Sequence, residues 1–141
     1  MHMHPALTHP RSLLADHSFD AAFTLALSSS NVQLLSWLCA QVSPDDVLGA
    51  TPALGQGVML SLVQQLGCDL QNEPSTKAAW IREAALSLDF ADPQLQPHIR
   101  AVLSTVQPLL EHEAGNSSHA AAAVSDLRLC TRVVAKALRG L

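Results

Sequence analysis

Apolar residues recur along this chain at three- and four-residue intervals, the spacing of one buried face on an α-helix, in six stretches separated by short polar or Pro/Gly-containing breaks. The first stretch, 18–29, puts Phe19, Ala22, Phe23, Ala26 and Leu27 on one face and ends in Ser28-Ser29-Ser30. Asn31 is the expected cap of a second helix at 32–42, with Leu35, Leu38, Cys39 and Val42 as its inner stripe. Ser43-Pro44-Asp45 closes that helix and offers the cap for a short turn through Leu48. After a loop from Gly49 to Gly55, a third helix at 56–71 buries Met59, Leu62, Val63, Leu66 and Leu70, while Gln64 and Gln65 begin the turn toward solvent. Gly67 costs that helix about 1 kcal/mol relative to Ala, which points to a close helix contact or a local irregularity.

A fourth helix, 76–90, aligns Trp80, Ile81, Ala84, Ala85 and Leu88, leaving Lys77, Arg82 and Glu83 nearer the other side. Asp92-Pro93 pairs a capping residue with the residue best tolerated at a first helical position, and Pro97 restarts the helix a turn later. The fifth helix runs through Ile99, Val102, Leu103, Val106, Leu109 and Leu110. Pro108 inside it predicts a kink near 104–108 or an early end. Gly115-Asn116-Ser117-Ser118 is a loop and cap, and a last helix, 119–139, buries Val124, Leu127, Cys130, Val134 and Leu138 before Gly140 stops it. Short loops between six helices imply antiparallel hairpins in an all-α fold, either an armadillo/HEAT-like short solenoid or a compact helical bundle. Periodicity does not choose between them, and no sequence repeat of about 40 residues is present. Residues 1–15 have no helical repeat and are expected to be a flexible leader, with 16–141 forming one all-helical interaction domain.

Composition agrees with packed helices: 48% of the 141 residues are hydrophobic and 14% charged, with Ala and Leu prominent. The net charge of −4 is unevenly spread, one Arg against six acids in 1–75 and seven bases against six acids in 76–141, and neither half looks like a dedicated polyanion binder. Three well-separated cysteines in helical stretches argue against a disulfide framework or zinc cage and for small buried apolar residues in a reducing compartment. No apolar run approaches the ~20 residues that cross a bilayer, and the amino terminus lacks the order of a signal peptide, so a cytoplasmic chain without membrane contact is expected.

Candidate chemistry is sparse. His2, His4 and His9 beside Met1 and Met3 are read as disordered rather than as copper or nickel ligands, and His112 between Glu111 and Glu113 as a solvated helix end. No local signature supports a nucleophile, a metal or a cofactor, so an enzyme is not expected. Two patches could hold a partner. Arg128, Arg132, Lys136 and Arg139, spaced four, four and three residues apart, form one basic stripe, either a solvated face that complements the helix end or a dock for an acidic peptide or RNA phosphates. Without interleaved aromatics, RNA binding there would be electrostatic and salt-sensitive. Gln64 and Gln65, with Lys77 and Arg82 on the next helix, form the second patch. Trp37 and Trp80 read as core residues before partner anchors.

The run Ala22-Phe23-Thr24-Leu25-Ala26-Leu27, then Ser36-Trp37-Leu38-Cys39 and Val42, then Leu54, Gln56, Val58, Leu60-Ser61-Leu62 and Gln64-Gln65-Leu66, resembles the carboxy-terminal domain of the enhancer-of-mRNA-decapping scaffold family, with its plant, Varicose-like branch nearest. Cys68-Asp69, Lys77, Ala79-Trp80 and the Asp92 turn continue the likeness, which is strong over about 19–110 and weak in the last helix. Gly55, Gly67 and Pro108 depart from the family pattern and bear on local helix geometry. The resemblance implies an armadillo/HEAT-like, non-catalytic scaffold domain that brings the decapping enzyme and its activator together in cytoplasmic processing bodies, in support of 5'-to-3' mRNA decay. Members carry a WD40 propeller and a self-associating coiled coil ahead of this domain, so the chain is expected to be a piece of a longer scaffold or a stand-alone relative, with any homo-oligomer formed through regions outside it. The residues expected to contact partners are Gln64, Gln65, Lys77, Arg82, Arg128 and Arg132. Direct RNA binding through the basic face of the last helix is the alternative.

Overall fold

Seven helices and no strand occupy the described residues, 18–49 and 52–141 of a computed structural model. They are α1 (Phe19–Ser28), α2 (Val32–Gln41), α3 (Pro44–Leu48), α4 (Gln56–Gly67), α5 (Pro74–Ser87), α6 (Gln96–Ala114) and α7 (Ala121–Arg139). The expected leader 1–15, its histidines and the domain start near Asp16 lie outside the described residues, as do positions 50 and 51 of the loop before α4.

Local chemistry sets most of the boundaries. The Asn31 side chain accepts the Leu34 N–H at 3.1 Å to start α2, and Ser43 Oγ accepts the Asp45 N–H at 3.3 Å ahead of Pro44 in α3. Both satisfy amides that a helix start leaves without partners. Ser30 turns the chain between α1 and α2 in the left-handed region, at φ 54°. Other boundaries move. α4 ends at Gly67 rather than 71, and α5 begins at Pro74, directly after Glu73 in the left-handed region (φ 49°, ψ 56°). α6 continues through Pro108 to Ala114, so no early end occurs. Pro108 and Ser104 are both exposed, and water can take the Ser104 carbonyl that Pro108 cannot reach.

The pairing of helices resolves the choice left open by periodicity. α1 packs on α2, α4 on α5 and α6 on α7, giving three hairpins, while α1, α4 and α6 form one row and α2, α5 and α7 a second. The first and third hairpins share none of the principal contacts, which is the nearest-neighbour order of a short solenoid. The middle hairpin is therefore covered from both sides. From α4 it buries Met59, Leu60, Leu62, Val63 and Leu66, and from α5 Ala78, Trp80, Ile81, Ala84 and Ala85. Trp80 and Phe23 are fully buried, with ring centroids 5.1 Å apart.

Polar side chains of the middle hairpin also finish helix ends, two in its first neighbour and one of its own. Gln65 Nε2 donates to the Leu27 carbonyl in the last turn of α1 at 3.2 Å, and Trp80 Nε1 to the Cys39 carbonyl near the end of α2 at 2.9 Å. Gln56 Nε2 donates to the Ser87 carbonyl that ends α5 at 3.2 Å, while its Oε1 accepts the Asp89 N–H at 2.8 Å. Carbonyls in a final helical turn lack the usual intrahelical donor, and these side chains supply one, at Leu27 in addition to the Ser30 N–H at 3.2 Å.

Gly67 is the close helix contact its position suggested. A Cβ there would stand 3.0 and 3.2 Å from the two methyls of Val106 on α6. Gly67→Ala is expected to lower stability by about 1 kcal/mol, overpacking exceeding the gain in helix propensity. In a Val106→Ala background the same change should be neutral or stabilising, a coupling of about 1 kcal/mol in a denaturant double-mutant cycle. Equal effects in both backgrounds would refute the contact.

Candidate functional site

The six residues expected to touch partners do not form one surface once folded: Gln64 and Gln65 share a groove, Arg128 and Arg132 share another face, and Lys77 and Arg82 join neither. Lys77, placed by its polarity on the outer side of its helix, is fully buried. Its Nζ donates to the Asp69 carbonyl at 2.8 Å and pairs with the Asp69 carboxylate, so the ammonium closes the α4–α5 turn and presents nothing to a partner. The correction has a simple cause: a buried charge is tolerated when it is paired and hydrogen-bonded, and the turn supplies both conditions. Gln65 is half-buried and committed to the Leu27 carbonyl. Gln64 is exposed beside the α1–α2 turn, and it shares a groove there with Gln65, Ser30, Val32, Ser61 and Cys68. Arg82 is partly covered and pairs with its neighbour Glu83 at 3.2 Å. Gln64, Gln65, Lys77 and Arg82 therefore do not make one patch.

Arg128 and Arg132 do remain together. Both are exposed on α7, one turn apart, and form no ion pair among the described residues. A shallow depression on one flank is shared with Glu111, Ala114, Gly115 and Thr131, and a second lies along the outer side of α7 with Ala121, Val124, Ser125 and Leu129. Leu129 is 43% exposed there. The inner side of α7 buries Ala123, Leu127, Cys130 and Val134, with Val124 and Leu138 only half covered.

Burial pushes the Cys39 and Cys130 thiols up to about 12, which leaves them protonated and poor nucleophiles near neutrality. Cys68 differs from the buried position expected of it: α4 has ended, and the thiol is exposed. Among the described residues no group of three or more His, Cys, Asp or Glu could hold a metal ion, and no helix is long and apolar enough to cross a membrane.

The enhancer of mRNA-decapping protein 4 carboxy-terminal family model matches residues 11–130. The chain belongs to this family. It is 35% identical to the Xenopus laevis enhancer of mRNA-decapping protein 4 over 78% of its own length but 8% of that protein, and 35% identical to the human protein over 72% of its length and 7% of that protein. A Drosophila melanogaster homolog is 26% identical over 88% of this chain and 9% of its own length. The crystal structure of the conserved carboxy-terminal region of Ge-1 superposes with a TM-score of 0.77 at 25% identity, covering 90% of this chain and 94% of that one. The decapping-enhancer domain is thus a small part of the relatives it matches, and nearly the whole of the Ge-1 region.

One cluster of this decapping-enhancer domain was missed in the sequence. Glu113, read there as part of a solvated helix end, is buried, accepting from Asn116 Nδ2 at 3.2 Å and meeting His119 Nε2 at 2.7 Å. The three residues knit α6 to the loop before α7. The only available signal was the six-residue step from Glu113 to His119 across a loop. The His119 hydrogen bond is the main force holding the Glu113 carboxyl below its ordinary value, with burial opposing it and Asn116 assisting. Partial burial would raise the Asp69 carboxyl, but hydrogen bonds from Lys77 and Asn72, with the Lys77 charge, outweigh it and hold that group low too.

Both carboxyls thus ionise more readily folded than unfolded. Their stabilisation is complete above the unfolded values of about 4 to 4.5 and is lost as pH falls through the lower folded values. Urea midpoints measured at decreasing pH are expected to hold steady to about pH 5 and then drop, with Asp69→Asn and Glu113→Gln each dropping less steeply than wild type. Parallel curves for all three proteins would contradict the assignment.

Proposed function

We propose that this domain is a non-catalytic scaffold module of the mRNA-decapping machinery, holding the decapping enzyme or its activator for cytoplasmic mRNA decay in processing bodies. The observation that carries the reading is the family match over residues 11–130, together with an exposed basic ridge on α7 that forms no ion pair among the described residues. The buried, protonated thiols of Cys39 and Cys130 favour a binding role over nucleophilic chemistry. Direct RNA binding has less support, because no aromatic side chain lies among the α7 cations to stack on bases and Glu111 opens onto the same depression as Arg128 and Arg132.

The test is retention of purified decapping enzyme and purified activator on the immobilised domain. Wild type is expected to retain at least one of them, and Arg128→Glu/Arg132→Glu to lose roughly tenfold in affinity, with stronger loss at low salt. Gln64→Ala reports on the groove beside the α1–α2 turn. A loss confined to that variant would move the dock from α7 to the edge of α4. Failure of wild type to hold either factor would defeat the scaffold reading.

A further inference from the structure

The last helix of a stacked array normally turns a polar face outward, since nothing follows to bury it. α7 is the last helix among the described residues, and its outer face is largely polar, with Ser125, Arg128, Arg132, Lys136 and Arg139 exposed. Leu129 stands exposed on its outer side, with Val124 half-covered nearby, and both line the same depression as Arg128 and Arg132. Lys136 and Arg139 extend the cationic stripe toward the end of the helix, and none of these four cations is paired among the described residues. A cationic face that also exposes a leucine offers an acidic, partly apolar partner both charge and apolar contact.

Its geometry says what would fit. The row α2, α5, α7 grows by setting one helix against the next, so the position beyond α7 is shaped for a further helix. Arg128 and Arg132 are one turn apart, and carboxylates four residues apart on a facing helix would match them. An apolar stripe beside those carboxylates would cover Leu129 and Val124. RNA phosphates would pair with the arginines but leave the leucine uncovered.

We propose that the outer face of α7 receives an acidic amphipathic helix of a partner protein, which docks as the next helix of the solenoid. The proposal rests on the scaffold reading only in taking the partner to be a decapping factor. The docking chemistry stands on α7 itself.

The test uses synthetic probes with the whole chain: a fluorescent peptide of about 16 residues carrying Glu at four-residue spacing beside a leucine stripe, its Lys-for-Glu counterpart, and oligouridine RNA. In anisotropy titrations the Glu peptide is expected to bind wild type at least about tenfold more tightly than the Lys peptide, and to weaken about tenfold for Arg128→Glu/Arg132→Glu and for Leu129→Asp. The Lys peptide should gain affinity for Arg128→Glu/Arg132→Glu, a charge-swap rescue that misfolding cannot produce. Equal binding of both peptides, indifference to Arg128→Glu/Arg132→Glu, or tighter binding of RNA than of the Glu peptide would overturn the proposal. So would a wild-type dimer in sedimentation that the arginine variant abolishes, since the face would then belong to a second copy. A domain that binds the Glu peptide yet retains no decapping factor keeps this inference and loses the scaffold reading; the reverse pattern loses this inference alone.

Discussion

A lysine with no exposed surface fixes the turn on which this stack is built. Lys77 reaches from the first turn of α5 to the carbonyl and the carboxylate of Asp69, and Asn72 holds the second oxygen of the same carboxylate at 2.9 Å. An ammonium withdrawn from water is acceptable only when its donors are used, and here backbone and side chain of one residue use two of them. The consequence is geometric. α4 and α5 are the helices that touch both flanking hairpins, so the angle at which their turn closes is passed to every other element. Through Gln65, Trp80 and Gln56 the same hairpin also completes the ends of α1, α2 and α5.

This economy leaves the interior with little chemistry to spare. Its polar groups are occupied in closing turns and helix ends, no buried side-chain nitrogen or oxygen lacks a partner among the described residues, and its thiols are held protonated by burial. The exposed, unpaired cations among the described residues gather on α7, at one end of the stack. The charge distribution follows the same axis. Every Lys and Arg among the described residues lies at or after position 77, and four of them are on α7, whereas Asp20, Asp45 and Asp46 lie on the first three helices. The end of the stack formed by α7 is therefore basic and partly apolar.

Much of this was legible in the chain. The stripes Ala22-Phe23-Ala26-Leu27 and Met59-Leu62-Val63-Leu66 are apolar at helical spacing and are buried as that spacing requires, and Asn31 and Ser43-Pro44 declared the helix starts they make. Gly67 reads as a close helix contact or a local irregularity, and it proves to be both the end of α4 and a close approach to Val106. Lys77 and Glu113 were illegible for the opposite reason. Periodicity assigns charged residues to solvent, and their burial depends on partners, Asp69 eight residues away and His119 six away, whose approach exists only after a turn has formed. Gln65 was placed beside Gln64 on one surface, but only the folded contact between α4 and α1 shows that the two amides have different occupations. Pro108 reads as a break in any single helix, yet α6 runs through it at a position where Pro108 and Ser104 are both exposed.

Equilibrium urea unfolding of Lys77→Ala tests the central claim most directly. A buried clamp predicts a loss of roughly 2–4 kcal/mol, since the substitution leaves both a cavity and an Asp69 carboxylate without its cation. A midpoint and slope equal to those of wild type would contradict it, and would return Lys77 to the surface role that its charge first suggested.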